Sequence, residues 1–150
     1  MPQTRGLAHV NLNVSDIDRS VRFYTGVFGL ELLSDGTETI QRDGQSVELR
    51  QALLSTPGQQ DLLALSHAAS FPMGSAGLNH IGFNFKSDED VRVAIEAVPH
   101  YGGKMVKAGE REEEGVREVF AYVQDPDGYY VEMSTQAIVF SASRARQGQE

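Results

Sequence analysis

Three side chains in this sequence could together do metal chemistry: His9, His80 and Glu132. Two neutral imidazoles and one carboxylate fill three positions around a divalent ion. The other positions stay open for substrate, water or dioxygen. Such a site keeps net positive charge and polarises a bound oxygen as a Lewis acid. The chain has no cysteine, so thiolate ligands, thiol nucleophiles and disulfides are excluded. Any metal must be held by nitrogen and oxygen.

The two histidines occupy one register of an internal repeat. Gly6-Leu7-Ala8-His9 and Gly77-Leu78-Asn79-His80 both read Gly-Leu-x-His, 71 residues apart, and each runs into an alternating stretch. Alternation of this kind predicts a strand with two distinct faces. Ala8, Val10, Leu12 and Val14 form an oily face, against His9, Asn11 and Asn13. In the second copy Ile81, Phe83 and Phe85 oppose His80, Gly82 and Asn84. Both histidines therefore fall on polar faces. Glu132 has the same polar parity between Val131 and Met133, and Tyr122 has it between Ala121 and Val123.

Helices must follow these strands. Ser15 is the expected N-cap of the first, with Asp16 and Asp18 in the first turn, Ile17, Val21, Tyr24 and Phe28 as the apolar stripe, and Gly29 as the stop. Tyr24 and Phe28 are read as helix core. Ser87 caps the second, with Val91, Ile95 and Val98 as its stripe and Pro99 and Gly102-Gly103 ending it. Strands are expected near 30–41, 45–54 and 61–66, and again near 103–109, 116–124 and 129–134. Asp125-Pro126-Asp127-Gly128 reads as a turn, with Pro57-Gly58 in the matching place.

The order is βαβββ twice, an α+β fold. Module 1 spans about 5–66, a linker 67–76, module 2 about 77–136, and a polar tail 141–150, all within one domain. With helices on the oily faces, the polar faces are expected to meet as a cupped, barrel-like eight-stranded mixed sheet. His9, Asn11, Asn13, His80, Gly82, Asn84, Tyr122, Tyr130 and Glu132 would line the cup, with Asn11, Arg50, Asn84 and Tyr130 toward substrate. His67 and His100 are read as structural or surface residues, and Glu112, Glu113 and Glu114 as a solvated loop.

The 150 residues suit one ordinary domain, and the net charge of −8 argues against nucleic-acid binding. No apolar run approaches a membrane span, and Met1-Pro2-Gln3-Thr4-Arg5 has no signal-peptide pattern, so a cytoplasmic location is expected.

The motifs Leu7-Ala8-His9-Val10, Phe23-Tyr24-Thr25-Gly26-Val27-Phe28-Gly29-Leu30, Leu78-Asn79-His80-Ile81-Gly82-Phe83 and Asp125-Pro126-Asp127-Gly128 with Glu132 resemble the glyoxalase, bleomycin-resistance and extradiol-dioxygenase superfamily, that of the vicinal-oxygen-chelate enzymes. The resemblance covers about residues 5–136. It implies one divalent cation on His9, His80 and Glu132, a small-molecule substrate chelating through vicinal oxygens, and a homodimer. Fe(II) or Mn(II) is expected first, with Zn(II), Ni(II) or Co(II) as alternatives.

The family's fourth ligand slot corresponds to Ala64, where glyoxalases and epimerases place Glu or Gln, so a glyoxalase I is disfavoured. Tyr122 matches the catalytic tyrosine of extradiol dioxygenases, which tilts the expectation toward oxygenase chemistry. The histidine those enzymes carry shortly before that tyrosine is missing from Glu112-Glu113-Glu114-Gly115-Val116-Arg117. Arg50, counted onto the cup face, would offer one charge to a phosphonate, as fosfomycin-resistance enzymes require. The alternatives are an oxygen-independent lyase, isomerase or thiol transferase, or a ligand-sequestering resistance protein.

Overall fold

The computed structural model describes residues 1, 3–74, 76–113 and 115–135. The polar tail, Gln136 and Glu114 lie outside the described residues. The chain divides into two compact units, residues 1–74 and 75–150.

Unit 1 contains β1 (Val10–Asn13), α1 (Ile17–Phe28), β2 (Glu31–Arg42), β3 (Gln45–Ser55) and β4 (Leu63–His67). Its strands order as β1-β4-β3-β2. β1 and β4 run parallel, with Asn11 opposite Ala64, and the other pairs are antiparallel. Unit 2 repeats the plan with β5 (Ile81–Asn84), α2 (Asp88–Ala97), β6 (Lys104–Glu113), β7 (Val116–Gln124) and β8 (Tyr130–Ser134), in the order β5-β8-β7-β6. β5 and β8 are the parallel pair, with Gly82 opposite Glu132. The fold is thus α+β, two βαβββ modules. Its eight strands are hydrogen-bonded as two four-stranded mixed sheets, not as one closed sheet.

Local chemistry explains the elements. α1 is capped by Asp16, not Ser15: the Asp16 carboxylate accepts from the Arg19 backbone N–H at 3.0 Å, while Ser15 Oγ accepts from the Arg19 guanidinium. Both residue types cap well, and the carboxylate adds charge that favours the helix's positive end. α1 stops at Gly29, whose φ of 67° suits a residue without Cβ. α2 is capped by Ser87 as expected. Asp88 Oδ1 then accepts from the Val119 N–H and the Thr135 hydroxyl, which ties the start of α2 to its own sheet.

The helix-facing sides carry the cores. In unit 1 Phe23 and Tyr24 are fully buried, edge to face at 5.1 Å, and Phe28, half-buried, stacks on Tyr24 at 5.8 Å. Burying rings of this size stabilises by roughly 1.5–3 kcal/mol each. In unit 2 Val91, Val98, Val123, Val131 and Met133 are fully buried.

The Asp125–Gly128 turn forms as expected. Asp125 Oδ1 accepts from the N–H groups of Asp127 and Tyr129, both at 2.9 Å, and Gly128 takes φ 88°. Each module has one β-bulge at a matching place, between Leu32 and Ser34 and between Met105 and Lys107. β6 extends further than expected and includes Glu112, paired with Arg117, so that this residue belongs to a hairpin strand and not to a loop. The charged run had hidden the strand. His67 is the last residue of β4, so the linker begins one residue later than expected.

Candidate metal and substrate site

The site begins with register in unit 2. Residues opposite each other in neighbouring strands point to the same face. Glu132 of β8 stands between Gly82 of β5 and Tyr122 of β7, on the face away from α2. His80, two residues before Gly82, shares that parity. The structure brings the two together: His80 Nε2 lies 3.1 Å from Glu132 Oε2. The Tyr122 ring meets the His80 ring edge to face, 5.4 Å between centroids. A shallow depression opens here, lined by Asn79, His80, Tyr122 and Tyr130.

The donor chemistry of the pair suits a cation. Asn79 presents Oδ1 to His80 Nδ1 at 2.6 Å, which places the ring proton on Nδ1. Nε2 of the neutral ring then has a bare lone pair facing a carboxylate oxygen. Two acceptors at that distance are compatible if the ring carries a second proton or if both donate to one cation. A ligand histidine whose other nitrogen is fixed by an oxygen acceptor is the usual arrangement at metal sites. His80 and Glu132 therefore fit as two of the ligands. Among the described residues, no group of three or more His, Cys, Asp or Glu side chains is arranged to hold a metal ion.

Behind the pair lies a network that sequence reasoning missed. Arg111 of β6 donates from Nη2 to Glu132 Oε1 at 3.2 Å and from Nε to Glu118 Oε1. Glu118 is fully buried, and its second oxygen accepts from the Ser134 hydroxyl. The Arg111 guanidinium also sits 4.7 Å from the centre of the Phe120 ring. Burial opposes the charge on Arg111, but the bonds and charges of Glu118 and Glu132 outweigh it and hold the guanidinium more firmly protonated than usual. Tyr122 is shifted upward from its ordinary value of 10.0, first by burial, then by the charge of Glu132 and a hydrogen bond to it; Arg111 pulls the other way and loses. The tyrosine is therefore a neutral donor near pH 7.

Tyr130 and Asn84 share this face. Tyr130 is exposed at the depression, while Asn84, with its amide nitrogen turned inward, donates to the Ser134 and Thr135 carbonyls.

Unit 1 presents a different surface at the same register. His9 is exposed, one residue before β1. Asn11 accepts from Ser66 Oγ at 2.8 Å, and Ser66 in turn accepts from Gln51 at 3.0 Å. Ala64 stands opposite Asn11 as Glu132 stands opposite Gly82, so it does occupy the slot matching Glu132.

The expected place of Arg50 is corrected. It pairs with His67 in β4 and shares its face with Ala52 and Leu65, on the helix side. There it makes two bonds to Asp35 and two to Asp18 of α1, as short as 2.7 Å. Its charge is spent on fastening the helix, and both aspartates are held below the usual carboxylate range by it. His67 Nδ1 lies 2.8 Å from the Val14 carbonyl oxygen, a structural contact, and His100 is exposed beside Tyr101.

Comparison with known proteins identifies the superfamily. The family profile described as Glyoxalase/Bleomycin resistance protein/Dioxygenase superfamily matches residues 6–133, and the chain belongs to that superfamily. A probable lactoylglutathione lyase from Synechocystis sp. is 28% identical over 132 residues, 85% of this chain and 92% of that protein. A lactoylglutathione lyase from Salmonella typhimurium is 30% identical over 135 residues, 85% of this chain and 90% of that protein. The chain spans only 35% of a probable chloroplastic lactoylglutathione lyase from Arabidopsis thaliana.

Among solved structures, a glyoxalase family protein from Bacillus cereus superposes with a TM-score of 0.72 at 16% identity, covering 89% of this chain and 95% of that one. A fosfomycin resistance protein variant from Listeria monocytogenes, complexed with Mn(II) and dihydroxypropylphosphonic acid, gives 0.61 at 21% identity over 89% and 94%. These two likenesses show the fold. The tilt toward dioxygenase chemistry finds no support in these proteins, of which the sequence relatives are named lactoylglutathione lyases and the Listeria structure a fosfomycin resistance protein.

Proposed function

We propose that this chain is a metal-dependent lyase of the vicinal-oxygen-chelate type, acting on a small 2-oxygenated substrate without dioxygen. The observation that carries this reading is the His80–Glu132 pair, with its second histidine nitrogen fixed by Asn79 and with Tyr122 alongside. The lyase relatives supply the reaction class. His9 precedes β1 as His80 precedes β5, and this shared repeat register is the whole ground for expecting it to bind metal.

A divalent cation held there would supply Lewis-acid polarisation of a substrate oxygen. The chain's own residues would do the rest. Asn79 holds the His80 ring in one tautomer. Tyr122 keeps its proton, which would turn from Glu132 to a substrate oxygen when substrate binds. Tyr130, exposed at the rim, contacts the substrate body. Ala64 leaves module 1 with no carboxylate at the slot matching Glu132, so it can move no proton there.

A second reading is favoured by one observation. Lys107 lies opposite Tyr122 on the same face, 5.9 Å from the Phe120 ring centre, and offers a cation to a phosphonate or carboxylate. That would suit a transferase or hydrolase acting on an anionic epoxide.

The test is direct. Protein purified without chelators is analysed for bound metal, then loaded anaerobically in parallel with Mn(II), Ni(II), Zn(II) and Fe(II). It is assayed with glutathione plus a 2-oxoaldehyde for thioester formation, with fosfomycin for epoxide opening, and with a catechol panel for oxygen uptake. Thioester formation that ignores dioxygen supports the lyase. Oxygen uptake with no thioester overturns it.

A further inference from the structure

Glu132 is held from behind, and the holder is not a metal ligand. We infer that Arg111, anchored by the buried Glu118, is a positioning residue that fixes the Glu132 carboxylate so that a single oxygen, Oε2, is presented beside His80. This rests on the proposed metal reading only for what the oxygen is presented to; the positioning itself is read from unit 2.

The argument runs from contacts. Arg111 Nη2 takes Glu132 Oε1 at 3.2 Å, while Oε2 faces His80 Nε2 at 3.1 Å. A carboxylate with one oxygen engaged by a guanidinium binds a cation through the other, in monodentate fashion. The guanidinium is itself immobilised on three sides. Glu118 takes Nε, the Phe120 ring covers its face, and Glu132 takes Nη2. Glu118 is fully buried and fixed by the Ser134 hydroxyl, so it is a rigid anchor. A buried carboxylate is costly unless paired, and the Arg111 guanidinium is the charge that pairs it here.

Electrostatics and positioning predict opposite signs, which makes the idea decidable. A positive guanidinium next to a cation site repels the cation, so if charge alone mattered its removal would tighten metal binding. If positioning dominates, removal weakens binding, as loss of outer partners usually does by roughly 10–100-fold.

Arg111→Met alone strands the buried Glu118 charge and can fail to fold, so the double variant Arg111→Met/Glu118→Gln is made beside it, together with Arg111→Lys. Mn(II) affinity is measured by equilibrium dialysis and the Mn(II) environment by electron paramagnetic resonance. A crystal structure of the metal-free double variant is also determined. We expect about 10–100-fold weaker Mn(II) binding in the double variant, an altered resonance line shape, partial rescue by Arg111→Lys, and a Glu132 carboxylate that has left His80.

Equal or tighter binding, with Glu132 unmoved, overturns the inference. Wild-type protein that binds no divalent cation overturns the metal reading. The crystal position of Glu132 in the double variant then decides the positioning by itself, supporting it if the carboxylate has moved and refuting it if it has not.

Discussion

The two modules share topology, parallel-pair register and even the position of a β-bulge, yet their faces away from the helices have opposite chemistry. Where module 2 places Glu132, module 1 places Ala64. Opposite Glu132 stands Tyr122; opposite Ala64 stands Leu53. Arg111 faces Glu118 in one sheet, while Glu38 faces Leu49 in the other. A histidine, an asparagine and a serine recur, as His9, Asn13 and Ser66 in one sheet and His80, Asn84 and Ser134 in the other. The helix sides of both sheets, by contrast, remain apolar around buried residues such as Leu65 and Val131. Folding demands are met on one face, which leaves the other free to diverge. Module 2 has kept the ionisable machinery and module 1 a small polar row.

Making module 2 resemble module 1 should have the largest effect. Glu132→Ala is expected to weaken divalent-metal binding beyond the roughly 10–100-fold typical of outer partners, as read by metal analysis after dialysis. Retention of metal would show that the carboxylate asymmetry is irrelevant to the cation.

The reverse exchange, Ala64→Glu, sharpens the contrast from the other side. Ala64 is only 2% exposed, so the larger, charged side chain should destabilise by roughly 1–3 kcal/mol from overpacking alone, measured by denaturant unfolding. A variant as stable as the parent would mean that module 1 can accommodate the acid.

Tyr122→Phe should keep the fold and lower kcat about tenfold, the value of one hydrogen bond of ~1.4 kcal/mol. It should also change the alkaline limb of stability. The folded tyrosine titrates above its ordinary 10.0, chiefly through burial. Protons are thus bound more tightly in the native state, and the stability this confers is complete below pH 10 and is lost as pH rises through the folded value. The phenylalanine variant should lose less stability over that interval in thermal melts at stepped pH.

The smallest effect belongs to Arg50→Ala in module 1. It should lower Tm slightly and leave metal content untouched, because its contacts are partly exposed ion pairs to Asp18 and Asp35. Loss of metal would return Arg50 to the site.

Much of the fold was legible because two physical periods coincide with an internal repeat. Alternation in 7–14 and 78–85 gave both strands and both histidine parities. The pairing of His80 with Glu132 followed from parity once β5 and β8 ran parallel. Arg50 was misread because Leu53-Leu54 put apolar residues on both parities of β3, which erases the signal that separates the faces. Arg111 was missed because Glu110-Arg111-Glu112-Glu113 contains no apolar residue to mark a face. Glu118, a charge between Arg117 and Val119, looks like a surface residue until the partner that neutralises it is known. Ser15 and Asp16 are adjacent residues of equal capping type, and only geometry separates them.

The bulge between Met105 and Lys107 does more than bend an edge strand. If residue 106 paired in the ladder instead of bulging out, the Met105–Val123 register would run straight on to set Glu110 against Glu118. Two carboxylates would then confront each other beside Glu132, and the guanidinium would point to the opposite side. One looped-out backbone unit thus sets which charge meets Glu118: deletion of residue 106 would leave Arg111 there, whereas one residue inserted between Lys107 and Glu110 should disable this face as thoroughly as replacing its arginine with an acid.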